Sequence, residues 1–223
     1  MVRRALVSST DVTDMGEHIS RGRARSGHND SEVEYMEKVF VAKWYHLLVY
    51  PDWFRRLHQR PGRFLGELVK VGMTVADIGC GLGFYTIEMA RLVGQNGRVI
   101  AIDFQAQMLR VTARKARKAG VAERVEIIEC TQDNLMVSER TPLGQVDFAL
   151  SMWVAHEAPD RERFFGQIRR MLKSEGRYLL AEPKFHVGKQ LYRAICSDAE
   201  RAGLKRISEP AVGASRAALF VVA

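Results

Sequence analysis

An α/β fold built on a doubly wound, mostly parallel sheet is what this sequence predicts, on three observations. A short apolar run, Thr74 to Ile78, has the character of a strand buried on both faces. It breaks into Gly79, Gly81 and Gly83, and an apolar helical pattern with Ile87, Met89, Ala90 and Val93 follows. Beyond it, strand-like and helix-like segments alternate, which calls for parallel pairing through crossovers.

Taken in order, residues 1–30 are polar with mixed charge, so a disordered leader is expected. Residues 31–60 read as a helical extension. Phe40, Trp44, Leu47 and Leu48 fall at i, i+4, i+7 and i+8, Tyr50-Pro51 stops that helix, and Asp52-Trp53-Phe54 opens a shorter one. Covering a sheet edge explains most of the rings here, which are Phe40, Trp44, Tyr45, Tyr50, Trp53 and Phe54. Residues 61–223 form the main domain, beginning with a helix from Pro61 ahead of the first strand. The second strand, Arg98 to Ile102, ends in Asp103, twenty residues after Gly83. Further strands are expected over residues 125–130, 146–151 and 177–182, then a helix over 189–202. The last strands are expected over residues 204–208 and 217–222.

Glycine at a strand-to-helix turn lets the backbone bend sharply and lets a ligand lie against main-chain N–H groups at a helix N-terminus. An acid at the tip of the next strand is where such sheets hold a nucleoside ribose. The pair predicts a nucleoside cofactor. Spacing narrows the choice. A dinucleotide loop has G-x-G-x-x-G, but the third glycine's place is taken by Phe84. No Gly-Lys-Ser/Thr follows, so the loop is not a phosphate-binding P-loop.

Asp77-x-Gly79-x-Gly81-x-Gly83, followed by Ala101-Ile102-Asp103, resembles the class I S-adenosylmethionine-dependent methyltransferases. The resemblance runs through Gln107-Met108-Leu109, Val146-Asp147-Phe148-Ala149-Leu150 and the helix and turn Ile168 to Arg177, and covers about Gly62 to Ala223. Ser174 and Glu175 replace the proline and first glycine of the family's turn. The resemblance implies a seven-stranded sheet with a reversed last strand, and S-adenosylmethionine as donor with S-adenosylhomocysteine as product. It implies that Gly79, Cys80, Gly81 and Gly83 meet the methionine portion and that Asp77 orders the loop. Asp103 would accept the ribose hydroxyls, with Phe104 and Met108 packed on the adenine. The residue that meets the adenine amino group aligns with Thr131, beside Gln132, and Asp133 is a turn or cap candidate. Ser151, Met152 and Trp153 would line the methionine end. The helical extension would act as a lid over the donor.

Methyl transfer needs a base only where the acceptor is protonated. Candidates cluster in Trp153-Val154-Ala155-His156-Glu157 and Ala181-Glu182-Pro183-Lys184-Phe185-His186. His156 leads because histidine titrates near neutrality, with Glu157 beside it; packing is the competing role for His156. These histidines and acids lack a spacing that enforces metal ligation, so no metal is expected. The formal charge of +8 suggests acidic partners, and Arg110, Arg114, Arg117 and Lys118 form a stripe, but a solvated helix face is the commoner explanation of such a stripe. Nucleic acid is therefore not favoured. Ser151-Met152-Trp153-Val154 stands where the resemblance would place Asp/Asn-Pro-Pro-Tyr/Phe in an exocyclic-amine RNA methyltransferase. A small, partly apolar acceptor is favoured, as for quinone-biosynthesis methyltransferases. RNA or protein methylation, and donor binding without turnover, are the alternatives. Cys80, Cys130 and Cys196 have neither disulfide-framework nor zinc spacing, and no apolar run reaches the ~20 residues of a membrane span, so a cytoplasmic protein is expected. Nothing in the sequence sets the oligomeric state.

Overall fold

The computed structural model describes residues 61–140 and 143–223. The leader and the lid expected over residues 1–60 lie outside the described residues. Helix α1 (Pro61–Leu68) leads into β1 (Thr74–Ile78), α2 (Phe84–Leu92), β2 (Arg98–Asp103), α3 (Ala106–Lys118) and β3 (Val125–Glu129). Then come β4 (Val146–Met152), α4 (Arg161–Met171), β5 (Leu172–Pro183), α5 (Lys189–Arg201), β6 (Leu204–Ser208) and β7 (Ser215–Val222). The seven strands lie in the order β3-β2-β1-β4-β5-β7-β6. Pairs from β3 to β5 are parallel, and β7 runs antiparallel to both neighbours.

Successive strand residues point to opposite faces, and the core follows that alternation. Ala149, Tyr178, Leu180 and Phe220 face α4 and α5, packing with Phe165, Ile168, Ile195 and Ala199. Phe148, Leu150, Leu179 and Leu219 face α1 and α2, packing with Leu65, Phe84, Ile87 and Met89. Burial on both faces is why these strands read as continuous apolar runs rather than alternating ones.

Most boundaries fall within two residues of expectation; β5 does not. It begins at Leu172, inside the segment read as a turn, because Val146 pairs with Leu172 and Phe148 with Arg177. The residues between are looped out as an irregularity of one continuous strand. A Cβ on Gly176 would lie 2.9 Å from the carbonyl oxygens of Lys173 and Val146, so that kink admits only glycine.

Strand order reverses around β1, which pairs with β2 on one side and β4 on the other. Chain segments leaving the carboxyl ends of β1 and β4 diverge there and open a crevice, the usual ligand position in such sheets.

Candidate functional site

The glycine segment leaves β1 stitched to its neighbour, since the N–H groups of Gly79 and Cys80 both donate to the Ile102 carbonyl, at 2.8 and 3.0 Å. Gly79, Gly81 and Gly83 have φ of 68°, 53° and 75°, the left-handed region that side chains avoid. Gly83 is the N-cap of α2 and supplies no side-chain cap. At two of the three positions the absent side chain makes room for the protein itself. A Cβ on Gly79 would lie 2.3 Å from Val154 Cγ2, and one on Gly83 would lie 2.8 Å from Thr112 Oγ1. The side-chain positions of Gly79 and Gly83 are thus filled by Val154 and Thr112.

Two polar side chains clamp the middle of the loop. The Gly81 N–H donates to Asp103 Oδ2 at 2.9 Å, and Thr112 Oγ1 donates to the Gly81 carbonyl at 2.8 Å. Thr86 Oγ1 donates to Asp77 Oδ2, which ties the start of α2 to β1. Cys80 packs downward with Ala101 and Leu109, and burial, reinforced by the charges of Asp77 and Asp103, pushes its thiol pKa well up. Replacing Thr112 by valine removes the clamp without changing shape. We expect a loss of about 0.5–1.5 kcal/mol in stability by chemical denaturation, with a parallel loss of ligand affinity.

Asp103 is 5% exposed. Its Oδ1 accepts from the Gln105 N–H at 2.8 Å while Oδ2 holds Gly81. Burial raises its pKa even though these N–H groups and that of Phe104 pull the other way. Asp103 opens onto a cleft bounded by Gly79, Phe104, Thr131, Gln132, Val154 and Glu157. The cleft holds about 50 Å³, because the Val154–Ala158 segment lies close over the loop. Met108 is buried on α3 and does not line the cleft. Nor does Ser151, whose fully buried hydroxyl shares a 2.5 Å hydrogen bond with Tyr178. Asp133 is the turn residue, accepting from Thr131 Oγ1 at 2.7 Å. A larger, polar concavity of about 480 Å³ lies between residues 134–139 and α4, but it shares no lining residue with the cleft.

Past β4 the chain makes one strained step, Trp153 at φ 64°, and then a single turn, Ala155–Glu157. That turn sets His156 against the end of β5. His156 Nδ1 lies 2.6 Å from Glu182 Oε2, and its main-chain N–H donates to Glu182 Oε1 at 3.3 Å. Its Nε2 lies 3.9 Å from Glu157 Oε1, and the His186 ring stands edge-on with centroids 5.1 Å apart. Burial alone would lower the imidazole pKa, but the hydrogen bond and charge of Glu182, helped by Glu157, raise it above 6.5. The pair therefore stabilises the fold fully below that value and loses its contribution as pH rises through the folded pKa. Four titratable groups converge, yet among the described residues no three His, Cys, Asp or Glu side chains are arranged to hold a metal ion.

Residues 69–214 match the family model described as a methyltransferase domain. The chain belongs to that family. Curated relatives include the ubiquinone/menaquinone biosynthesis C-methyltransferase UbiE of Klebsiella pneumoniae, 31% identical over 114 residues, and that of Escherichia coli O1:K1 / APEC, 30% identical. Each match covers 51% of this chain and 44% of the relative, so the chain spans less than half the length of these proteins. Among solved structures, a SAM dependent methyltransferase from Aquifex aeolicus superposes with a TM-score of 0.72 at 24% identity, covering 82% of this chain and all of that one. A geranyl diphosphate C-methyltransferase from Streptomyces coelicolor gives 0.58 at 18% identity, covering 76% and 80%. At these identities the structures establish the shared fold.

In this methyltransferase domain, then, Gly79, Asp103, Phe104, Thr131, Gln132 and Glu157 meet at one cleft, with Asp77 in β1 and Cys80, Gly81 and Gly83 in the loop that continues from Gly79. Met108 and the Ser151 side chain stand apart. Thr112, Thr86 and Val154 were missed. Thr112 carried a faint signal, a lone hydroxyl on the apolar side of α3 between Met108 and Ala116. Val154 carried none, because only the path of the chain after β4 brings it onto Gly79.

Proposed function

We propose that this chain is an S-adenosylmethionine-dependent methyltransferase acting on a small, partly apolar acceptor. The observation that carries the reading is Asp103, buried at the end of β2 and bonded to the Gly81 N–H of a glycine loop that opens a helix, within a matched methyltransferase domain. The donor set suits a nucleoside. Each Asp103 oxygen has a further lone pair for a ribose hydroxyl, and Phe104, Thr131 and Gln132 bound the cleft beyond it. The cleft is narrow, with Val154, Glu157 and Ala158 forming one wall beside Gly79.

When bound, the donor supplies an activated methyl on a sulfonium. The residues of the chain then need mainly to position the acceptor and exclude water. Glu157, which lines the cleft, and His156 beside it are the groups this reading assigns to take a proton from the acceptor. UbiE relatives, named as C-methyltransferases of quinone biosynthesis, support a small acceptor. Arg110, Arg114, Arg117 and Lys118 are exposed on α3, the disposition of a solvated face, and give nucleic acid no specific support. The three free cysteines fit a cytoplasmic setting, and among the described residues no helix is long and apolar enough to cross a membrane.

Calorimetry tests the reading. S-adenosylhomocysteine should bind the full chain while NAD gives no comparable heat. Transfer of labelled methyl to a quinol-like acceptor would separate an enzyme from a donor-binding protein. Retention on RNA with methylation of RNA would instead favour the alternative.

A further inference from the structure

Glu182 is a fully buried carboxylate at the end of a core strand, and its hydrogen bonds go to one loop residue. An isolated buried charge is strongly unfavourable, so its place needs a partner and a reason. The partner is His156, held twice: Oε2 at 2.6 Å from the ring Nδ1 and Oε1 at 3.3 Å from the main-chain N–H. The two ends of the pair differ in rigidity. Glu182 is held in register against β7, where it pairs with Arg216, one residue past the last β4 pair, Met152 with Ala181. His156 sits on the short turn after β4, and without a fixed partner its ring could rotate.

Exposure rises outward along the row of side chains, 0% for Glu182, 9% for His156 and 20% for Glu157. Glu157 lines the cleft. His186 packs edge-on against the same ring and restricts its rotation. Binding through Nδ1 leaves the other nitrogen, Nε2, on the side of Glu157. Glu182, Glu157 and His186 are the titratable groups facing the ring.

We propose that Glu182 is a positioning residue, holding His156 by Nδ1 so that Nε2 exchanges a proton with the acceptor. The proton leaving the acceptor would go to Nε2, and the electron pair it leaves behind would form the new bond to the methyl carbon as the methyl–sulfur bond of the sulfonium breaks, its electron pair staying on sulfur to give S-adenosylhomocysteine. This deepens the methyl-transfer reading and rests on it for the identity of the acceptor step.

The test is a pH titration of the full chain with ¹⁵N-labelled histidine, in wild type and in Glu182→Gln. In wild type, His156 should titrate above the ordinary value of 6.5, and its neutral form should keep the proton on Nδ1. Glu182→Gln should lower that midpoint by about one pH unit or more and move the pH profile of the methyl-transfer rate with it, leaving affinity for S-adenosylhomocysteine unchanged. Wild-type His156 titrating at or below the ordinary value, or protonated on Nε2 when neutral, overturns the proposal without needing the variant to fold. So does a rate profile that stays put while the His156 midpoint moves. Absence of S-adenosylhomocysteine binding in wild type would sink the methyl-transfer reading instead, a result the titration alone cannot produce.

Discussion

Asp103→Ala should weaken binding of S-adenosylhomocysteine by about 1.5–3 kcal/mol, the range for hydrogen bonds to a charged group, or roughly 10- to 150-fold. The carboxylate has two tasks, and the substitution removes both. It takes the acceptor from the ligand's hydroxyls, and it frees the N–H groups of Gly81 and Gln105 that hold the loop. Asp103→Asn separates the tasks, because the amide keeps one acceptor oxygen but not the charge. A pH dependence accompanies the affinity. Burial places the folded pKa of Asp103 above its usual value, so binding should fade as pH drops through that raised value and the carboxyl becomes neutral. Stability should respond with the opposite sign, since a raised carboxyl pKa favours the folded state at low pH. Calorimetry across pH checks both, and unchanged affinity in a folded Asp103→Ala protein would remove this residue from the site.

Gly79→Ala should be the most damaging single methyl in the loop. Its φ of 68° costs a residue with a side chain about 1–2 kcal/mol. The new carbon would also lie 2.3 Å from Val154 Cγ2, an overpacking that typically adds about 1–3 kcal/mol. Together these predict a fall in thermal midpoint of roughly 5–15 °C for a domain of this size. Adding Val154→Ala should recover the steric part and leave the backbone part. Scanning calorimetry on the single and double variants decides it. An unchanged midpoint in Gly79→Ala would mean the loop and the Val154 segment are not packed as described.

Some of this architecture was plain in the sequence. Thr74–Ile78 could be read to the residue because both of its faces are covered, leaving an uninterrupted apolar run between punctuating polar and glycine residues. Asp103 was legible for the same reason, as a lone charge ending such a run. The start of β5 was not. Leu172 to Gly176 has turn composition, and only pairing with Val146 makes a strand of its first residue. Glu182 was visible as one acid among several, but its hold on His156 depends on two strand ends meeting in space. The hydrogen bond of Ser151 to Tyr178 was not legible, because a hydroxyl at a strand tip suits a ligand and a buried tyrosine equally, and the tyrosine comes from the neighbouring strand.

The position of β7 has a consequence for biosynthesis. β6 precedes β7 in the chain but, among the described residues, has β7 as its only sheet neighbour, and the β5 edge that β7 covers carries Tyr178, Leu179, Leu180 and Ala181. While the ribosome is still extending the chain, that apolar edge stays open and β6 has no strand to join. Both wait for residues 215–222 to emerge. An unpaired apolar edge is a template for association with other nascent chains. The interval before β7 arrives is when this protein should depend most on chaperones.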